Sequence, residues 1–600
     1  MSGSMAASLA ALPLKKFASA GFRKAVSSGD AKTLQRCLIR EFARPRDCLL
    51  RCPETSDSLF AQALSLKIAA PADSALQMLL IETSKGCRQR IASVCDHLTN
   101  RLADETRPLS PVAILVAADW LVRHTAEFSA EGLAVIYRRL ALHNSDSEPE
   151  AVGDLPTRVA RQILVEGELP FVLSLLLDPL RKSKTLRSHA AGRLAHCLEE
   201  CTDTDGSVLS ELLRNVNPWL SSLVRVAEWS DAFQEPWAGR TTVKRWRQAV
   251  ECLASVAIPD GLMTSGADLP ADLNLVSRAV SVAEWPSNAD VPKLFKCLEK
   301  FNRRRPGSRS RNSKHAGPPA CRQSDWATIA VMRNNHLPDA DACSLDWDGS
   351  AHHLNLVVHG HRLLQGNWQV EVTVAGKRVT MPECFACTCW FQDNEVAFAE
   401  LEGISNCGTR HIRHVMLVLT QHLAVITDTV TCSDIQSSIA LESRLPLSAD
   451  VTVSADTVTR EMLLGISDQV VRAVPAWLED DRVQHALGDF CVTERELVLT
   501  SRGQGGLTVP LVLDWHPDRH QHDADWNRLT VSEDRHVQSA SHAAGFRIRM
   551  GPMQLLLYRS LRVGSTLRAV LGYHTSSETM YGRINNKGRI DPLVIVESDE

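Results

Sequence analysis

The property that most restricts this chain is a change of texture near residue 320. Before it, apolar residues recur at helical spacing, as in PVAILVAADWLVRHT (111–125) and FVLSLLLDPLR (171–181). After it come short β-branched runs with near-alternation, as in NWQVEVTVAGKRVTM (367–381) and HIRHVMLVLTQHLAVITDT (411–429). A 3.6-residue period gives a helix one apolar stripe, and a period of two gives a strand one apolar face. The two patterns do not interchange, so an all-α part is read as preceding an all-β part. Between them lies NRRRPGSRSRNSKHAGPPA (302–320), basic, rich in Gly, Pro and Ser, and without an acidic residue. A charge run of this composition reads as a flexible linker before it reads as a polyanion site.

A chain of 600 residues exceeds the size at which one core keeps growing, so two or more domains are expected. The reading is an undefined lead over 1–60, a helical domain over 61–301, the linker over 302–320 and a β domain over 321–600. In the helical domain, breaks at 144–157, 202–207 and 258–271 separate segments whose short connections favour antiparallel helical pairs. Their spacing suits an incomplete α/α toroid, and no solenoid repeat stands out. In the β domain, turn signals recur about every ten residues, at Asp348-Gly349, Gly376-Lys377, Gly408-Thr409, 502–506 and 585–588. That spacing predicts an antiparallel β-sandwich of many strands, a super-sandwich, and not βαβ units. The fold class is therefore α+β in two domains.

A net charge of -4 argues against a nucleic-acid protein. No stretch approaches the ~20 apolar residues that cross a bilayer, so no membrane span is expected. At the start, the apolar segment 5–14 is short, and Lys15 and Lys16 follow it instead of preceding it, the reverse of a secretory signal. The 17 cysteines are irregularly spaced, and several, such as Cys197, Cys252 and Cys297, sit in apolar helical text, which reads as reduced thiols. A cytoplasmic protein is expected, or a periplasmic one if the start is misassigned. Nothing indicates the oligomeric state.

Several clusters carry candidate chemistry. His189 and His196 lie about two helical turns apart with Arg193 on the same side, which suits holding an acidic sugar and moving a proton; the plainer reading is a solvated helix face. His359 and His361 alternate in an expected strand, which points both rings to one face for a metal or a base. Residues 228–237 read as a loop carrying Trp229, Asp231, Glu235 and Trp237. Trp faces stack on sugar rings, and paired acids serve glycoside hydrolysis; the alternative is a helix corner anchored by the two tryptophans. Cys384, Cys387 and Cys389 form CxxCxC, but a second clean ligand pair for zinc is missing, so no cofactor is assigned and zinc stays an open alternative.

The β half also carries a resemblance. SDWATIAVMRNNHLPDADACSLDWDGS (324–350), GNWQVEVT (366–373), CWFQDNEVAFAELEGI (389–404), RHVMLVLTQHLAVITDT (413–429) and the closing run 567–598 resemble heparinase II/III-like polysaccharide lyases. The resemblance is best over 320–600, with PDG at 259–261 a weaker match. It implies an α/α toroid ahead of a β-sandwich, and β-elimination on an acidic, uronate-containing polysaccharide. It also implies a Tyr or His that takes the C5 proton, a group that masks the carboxylate, and a donor to the leaving oxygen. This sequence departs from that set. It has four tyrosines, with Tyr137 alone in the helical half, and LVVHGHRLLQGN (356–367) has no acid following His359 and His361. Three functions follow: a polysaccharide lyase, a non-catalytic carbohydrate-binding or scaffolding protein that keeps the fold, and a carboxylate-based glycoside hydrolase.

Overall fold

Ser19, Asp30, Ser110, Ser129 and Asp154 each stand just before a helix, and each side chain accepts a hydrogen bond from the N–H three residues on. These N-caps satisfy donors that a helix start leaves open, so the helix boundaries are written locally in the sequence. The computed structural model describes residues 9–51, 88–104, 109–143, 153–264, 271–287, 289–302, 319–349, 351–562, 564 and 566–597. The basic strap at 303–318 lies outside the described residues, as does most of the break at 144–157.

The chain divides into two compact units, Met1–Leu253 with Ala271–Ala289, and Ala254–Pro270 with Asp290–Glu600. The first is helical. Its lead, expected to be undefined, forms helices Ala20–Ser28, Ala31–Glu41 and Ala43–Leu49, and Pro45 sits inside the first turn of the last of these. Pro is tolerated there because its missing N–H has no helical partner at that position. Helix Pro111–Arg123 is buried almost all round. A π-helical turn, Ile163–Glu168, leads into helix Leu169–Leu176. At that turn Arg225 grips the Glu168 carboxylate with two bonds, 2.6 and 2.9 Å, both groups buried. No helix among the described residues is long and apolar enough to cross a membrane.

The second unit is built of antiparallel sheets. The central one has eight strands, in the order Ala386–Gln392, Val396–Ile404, Arg410–Val418, Leu423–Thr431, Gly506–Asp514, Gln469–Pro475, Met462–Ile466 and Thr452–Ala455. Val415, Leu417 and Ile426 point into one core, whereas Met416, Val418 and Val425 point into another. The first core is shared with two five-stranded sheets, one of them the meander Arg322–Asn367, and the second with a five-stranded sheet that contains Ala543–Met550 and Met553–Ser560. In that last strand Leu555 and Leu557 belong to the second core, while Leu556 and Tyr558 face a further core closed by Val531 and Val570. The predicted super-sandwich is thus a stack of layers. A strand buried on both faces has no polar alternation left, which explains the nearly continuous apolar text of 411–429.

The loop segment before the break packs with the sheets. Arg333 donates to Ser255 O (2.8 Å) and Ala257 O (3.1 Å). Arg362 donates to Leu262 O (2.6 Å) and Met263 O (3.2 Å) and pairs with Asp260 at 3.1 Å. Residues 257–262 form a two-stranded hairpin, Ala257–Ile258 with Gly261–Leu262, and the two buried guanidinium groups satisfy the carbonyls of Ser255, Ala257, Leu262 and Met263 around it.

Candidate functional site

The sequence-nominated residues scatter. On helix Ser183–Cys201, His189 and His196 are exposed, Arg193 pairs with Glu166, and His196 pairs with Glu200 at 3.3 Å. Residues 228–233, expected in a loop, are the last turns of helix Asn217–Phe233, which stops at Gln234 in the left-handed conformation. Trp229 is buried and stacks on Phe233 (centroids 5.4 Å, planes 5° apart), so its faces are covered from within. Asp231, Glu235 and Trp237 line one cavity of about 560 Å³ together with Glu228 and Glu284. There Glu228 holds Arg278 (2.9 Å) and Glu235 holds Arg187 (2.6 Å).

His359 and His361 do not share a strand face. His359 occupies a tight turn at φ 48°, Gly360 follows at φ 82°, and His361 begins the next strand, exposed. The turn rotates the chain between them, which breaks the period-two argument. Cys384 is exposed and Cys387 and Cys389 are half-buried. None of the three enters the cluster of metal-type ligands found among the described residues, which is Asp341, His359 and His422.

A more coherent surface lies at the start of the helical unit. Residues 9–51 carry ten Lys/Arg against three Asp/Glu. Leu14 bridges Leu180; Lys15 N donates to Pro179 O (2.8 Å) and Arg181 N to Pro13 O (3.0 Å). This short ladder pins the lead to the loop before helix Ser183–Cys201, itself rich in Arg and Lys. Beside it opens a cavity of about 690 Å³ lined by Lys15, Phe17, Ser19, Arg40, Glu41 and Asp178. Phe17 is 96% exposed. Lys15 and Arg187 share the Asp178 carboxylate at 3.0 and 3.4 Å. Glu41 is exposed along one edge, but burial against the cavity wall, and then the Asp178 charge, push its carboxyl up to about 7. The arrangement offers cations and one open aromatic face, the groups that hold a sulfated or carboxylated sugar.

Two further polar constellations look catalytic in composition. On one face of the central sheet, Glu400 accepts from His414 (2.7 Å) and Arg559 (3.0 Å), and His414 meets Tyr581 at 2.9 Å. On the other, Asp428 meets His411 (3.1 Å) and accepts from Ser443 (2.6 Å) and Trp368 (3.0 Å), while Arg413 lies over the Trp368 ring. All of these side chains are buried, so both sets serve as internal struts that no polymer reaches.

No protein-family model matches the chain, and no curated protein matches it. Solved structures do. A mutant of the heparan sulfate lyase HepC from Pedobacter heparinus aligns with a TM-score of 0.61 at 11% identity, covering 93% of this chain and 99% of that one. A heparinase III aligns at 0.57 and 11% identity over 81% and 82% of the two chains. The heparinase III BT4657 gene product aligns at 0.51 and 12% over 77% and 73%. This chain has the heparinase fold.

At such identities the heparinase fold is shared as a shape, and each residue role must be argued from this chain. The tyrosines decide most. Tyr137 is fully buried, its ring edge-on to Phe22 at 5.9 Å and its hydroxyl without a partner among the described residues. Burial drives its pKa well above the ordinary range. Tyr558 and Tyr581 are buried between sheets, and Tyr573 is half-buried at a sheet edge. The cationic lead, by contrast, was missed by pattern reading. Its signal was the local charge count over 9–51, hidden within a chain of net charge -4.

Proposed function

We propose that this protein recognises an acidic, uronate-containing polysaccharide through its heparinase fold, and binds it without tyrosine-based β-elimination. The observation that carries the reading is the cavity where Lys15, Arg40 and the open face of Phe17 converge on a strongly cationic helical lead. Cations give the affinity for a polyanion, and the aromatic face distinguishes a sugar chain from a simple salt. The sealed Tyr137 argues against elimination, because a base must reach within hydrogen-bond distance of the proton that it removes. The heparinase-like neighbours support the same ligand class, since the HepC structures are of a heparan sulfate lyase.

The test pairs binding with turnover. Heparan sulfate, chondroitin sulfate, alginate and a neutral glucan are run against the protein in retardation gels, and ultraviolet absorbance and reducing ends are followed in parallel. Retardation of the acidic polymers alone, with both turnover signals flat, is expected. A rise in ultraviolet absorbance would make the protein a lyase. A rise in reducing ends without it would move the chemistry to the carboxylates around Asp231 and Glu235. No retardation of any acidic polymer would remove the ligand class.

A further inference from the structure

We propose that Asp341, His359 and His422 form a binding site for a zinc-class divalent cation, which ties the first five-stranded sheet to the central eight-stranded sheet. One ligand atom from each residue lies within 4.8 Å of the others. Asp341 precedes strand Ala342–Asp346, His359 follows strand His353–Val358, and His422 precedes strand Leu423–Thr431. The three ligands therefore come from two different sheets, and sequence spacing does not reveal them.

The site is prearranged by its backbone. Asp341 is buried, and its N–H donates to Asn334 Oδ1 at 3.1 Å, which fixes the strand entry. Its Oδ1 accepts from His359 N at 2.9 Å and its Oδ2 lies 2.5 Å from His422 Nδ1. His359 and His422 both hold left-handed backbone, φ 48° and 51°, which is uncommon for residues with a side chain and brings their rings to a 4.8 Å centroid distance. Strained turns that present two imidazoles to one buried carboxylate are a pattern found at functional positions.

The donor set decides the ion. Two imidazoles and one carboxylate suit borderline ions such as Zn²⁺ better than Ca²⁺ or Mg²⁺, which prefer oxygen throughout. Ion binding at His422 Nδ1 needs that nitrogen unprotonated: a neutral ring then carries its one proton on Nε2, and a doubly protonated ring releases the Nδ1 proton to solvent. Three protein ligands leave a position for water, in keeping with the half-buried histidines.

The experiment uses the full-length protein, dialysed against a chelator and titrated with zinc chloride, with metal content and thermal unfolding measured together. One zinc per chain and a raised Tm are expected. H359N and H422N keep a residue that tolerates left-handed backbone, and D341N keeps an acceptor for His359 N–H. Each should weaken zinc binding at least about tenfold, while H361N, altered on the exposed neighbour, binds as the parent does. Cobalt gives a second readout: visible absorption bands in the parent and in H361N, lost in D341N. A parent that binds no stoichiometric zinc overturns the site, and so does undiminished binding in the three ligand variants.

Discussion

Tyr581 and His414 meet at 2.9 Å, hydroxyl to Nδ1, across 167 residues of sequence. The carboxylate of Glu400 accepts from His414 Nε2, so Nε2 carries the ring proton and Nδ1 accepts from the tyrosine. Replacing Tyr581 with Phe leaves that buried nitrogen without a donor. A loss of about 1–3 kcal/mol in unfolding free energy is expected from denaturant titration, with polysaccharide retardation unchanged. Retardation lost in a folded Y581F protein would show that the strut belongs to the ligand site.

The same strut sets a pH dependence. Burial raises Glu400, but the hydrogen bond from His414, the positive charge that this ring gains once it is protonated at acid pH, and then Arg559 outweigh it and hold the carboxyl well below its ordinary value. Its contribution is present above the ordinary Glu value of 4.5 and is lost as pH falls. Burial lowers His352, His411 and His414 below 6.5. The unfolded chain takes up protons on these rings first, so stability also falls as pH drops through 6.5, by up to about 1.4 kcal/mol per pH unit for each ring. Tm should be highest near neutral pH and decline steadily toward pH 5. A Tm that rises on acidification contradicts the network.

Breaking the Arg225–Glu168 pair is expected to be the costliest polar change in the helical unit. Both partners are buried and joined by two bonds. Arg225→Met strands a carboxylate and should cost about 3–5 kcal/mol, whereas R225M with E168L should recover most of it. Calorimetry of the three proteins checks the order.

At the cationic cavity, K15E with R40E should weaken retardation of heparan sulfate by about tenfold at low salt, and F17A should weaken it without altering the salt dependence. Because Glu41 sits at about 7, its protonation removes a negative charge from the cavity as pH falls from 8 to 6. Affinity should rise over that range in the parent and stay flat in E41Q, read from gels at matched ionic strength.

Gly360 holds φ 82°, and a Cβ there would meet Pro338 O at 2.2 Å. Gly360→Ala should lower stability by at least about 1–3 kcal/mol and weaken the zinc binding proposed at His359 beside it. An unchanged Tm would mean that the turn relaxes freely.

Local chemistry was enough to read helices before sheets, the hairpin glycines and a many-stranded antiparallel sandwich, because turns and periodicity act over a few residues. It also led to the resemblance that the solved heparinase structures bear out as fold. The single strand face expected for His359 and His361 failed on one left-handed turn, and the loop expected at 228–233 is helix closed by Gln234. What only tertiary structure decided is which polar groups meet. Tyr581 with His414, Lys15 with Asp178 and Asp341 with His422 are each brought together over long sequence separations by packing. Burial then decided their work, since Tyr581, His411 and His414 are struts sealed inside the sheets, whereas His359 and His422 stay half-open to solvent. The texture break near 320 determined the order of the architecture, and side-chain access, set by the folded chain, determined where function can reside.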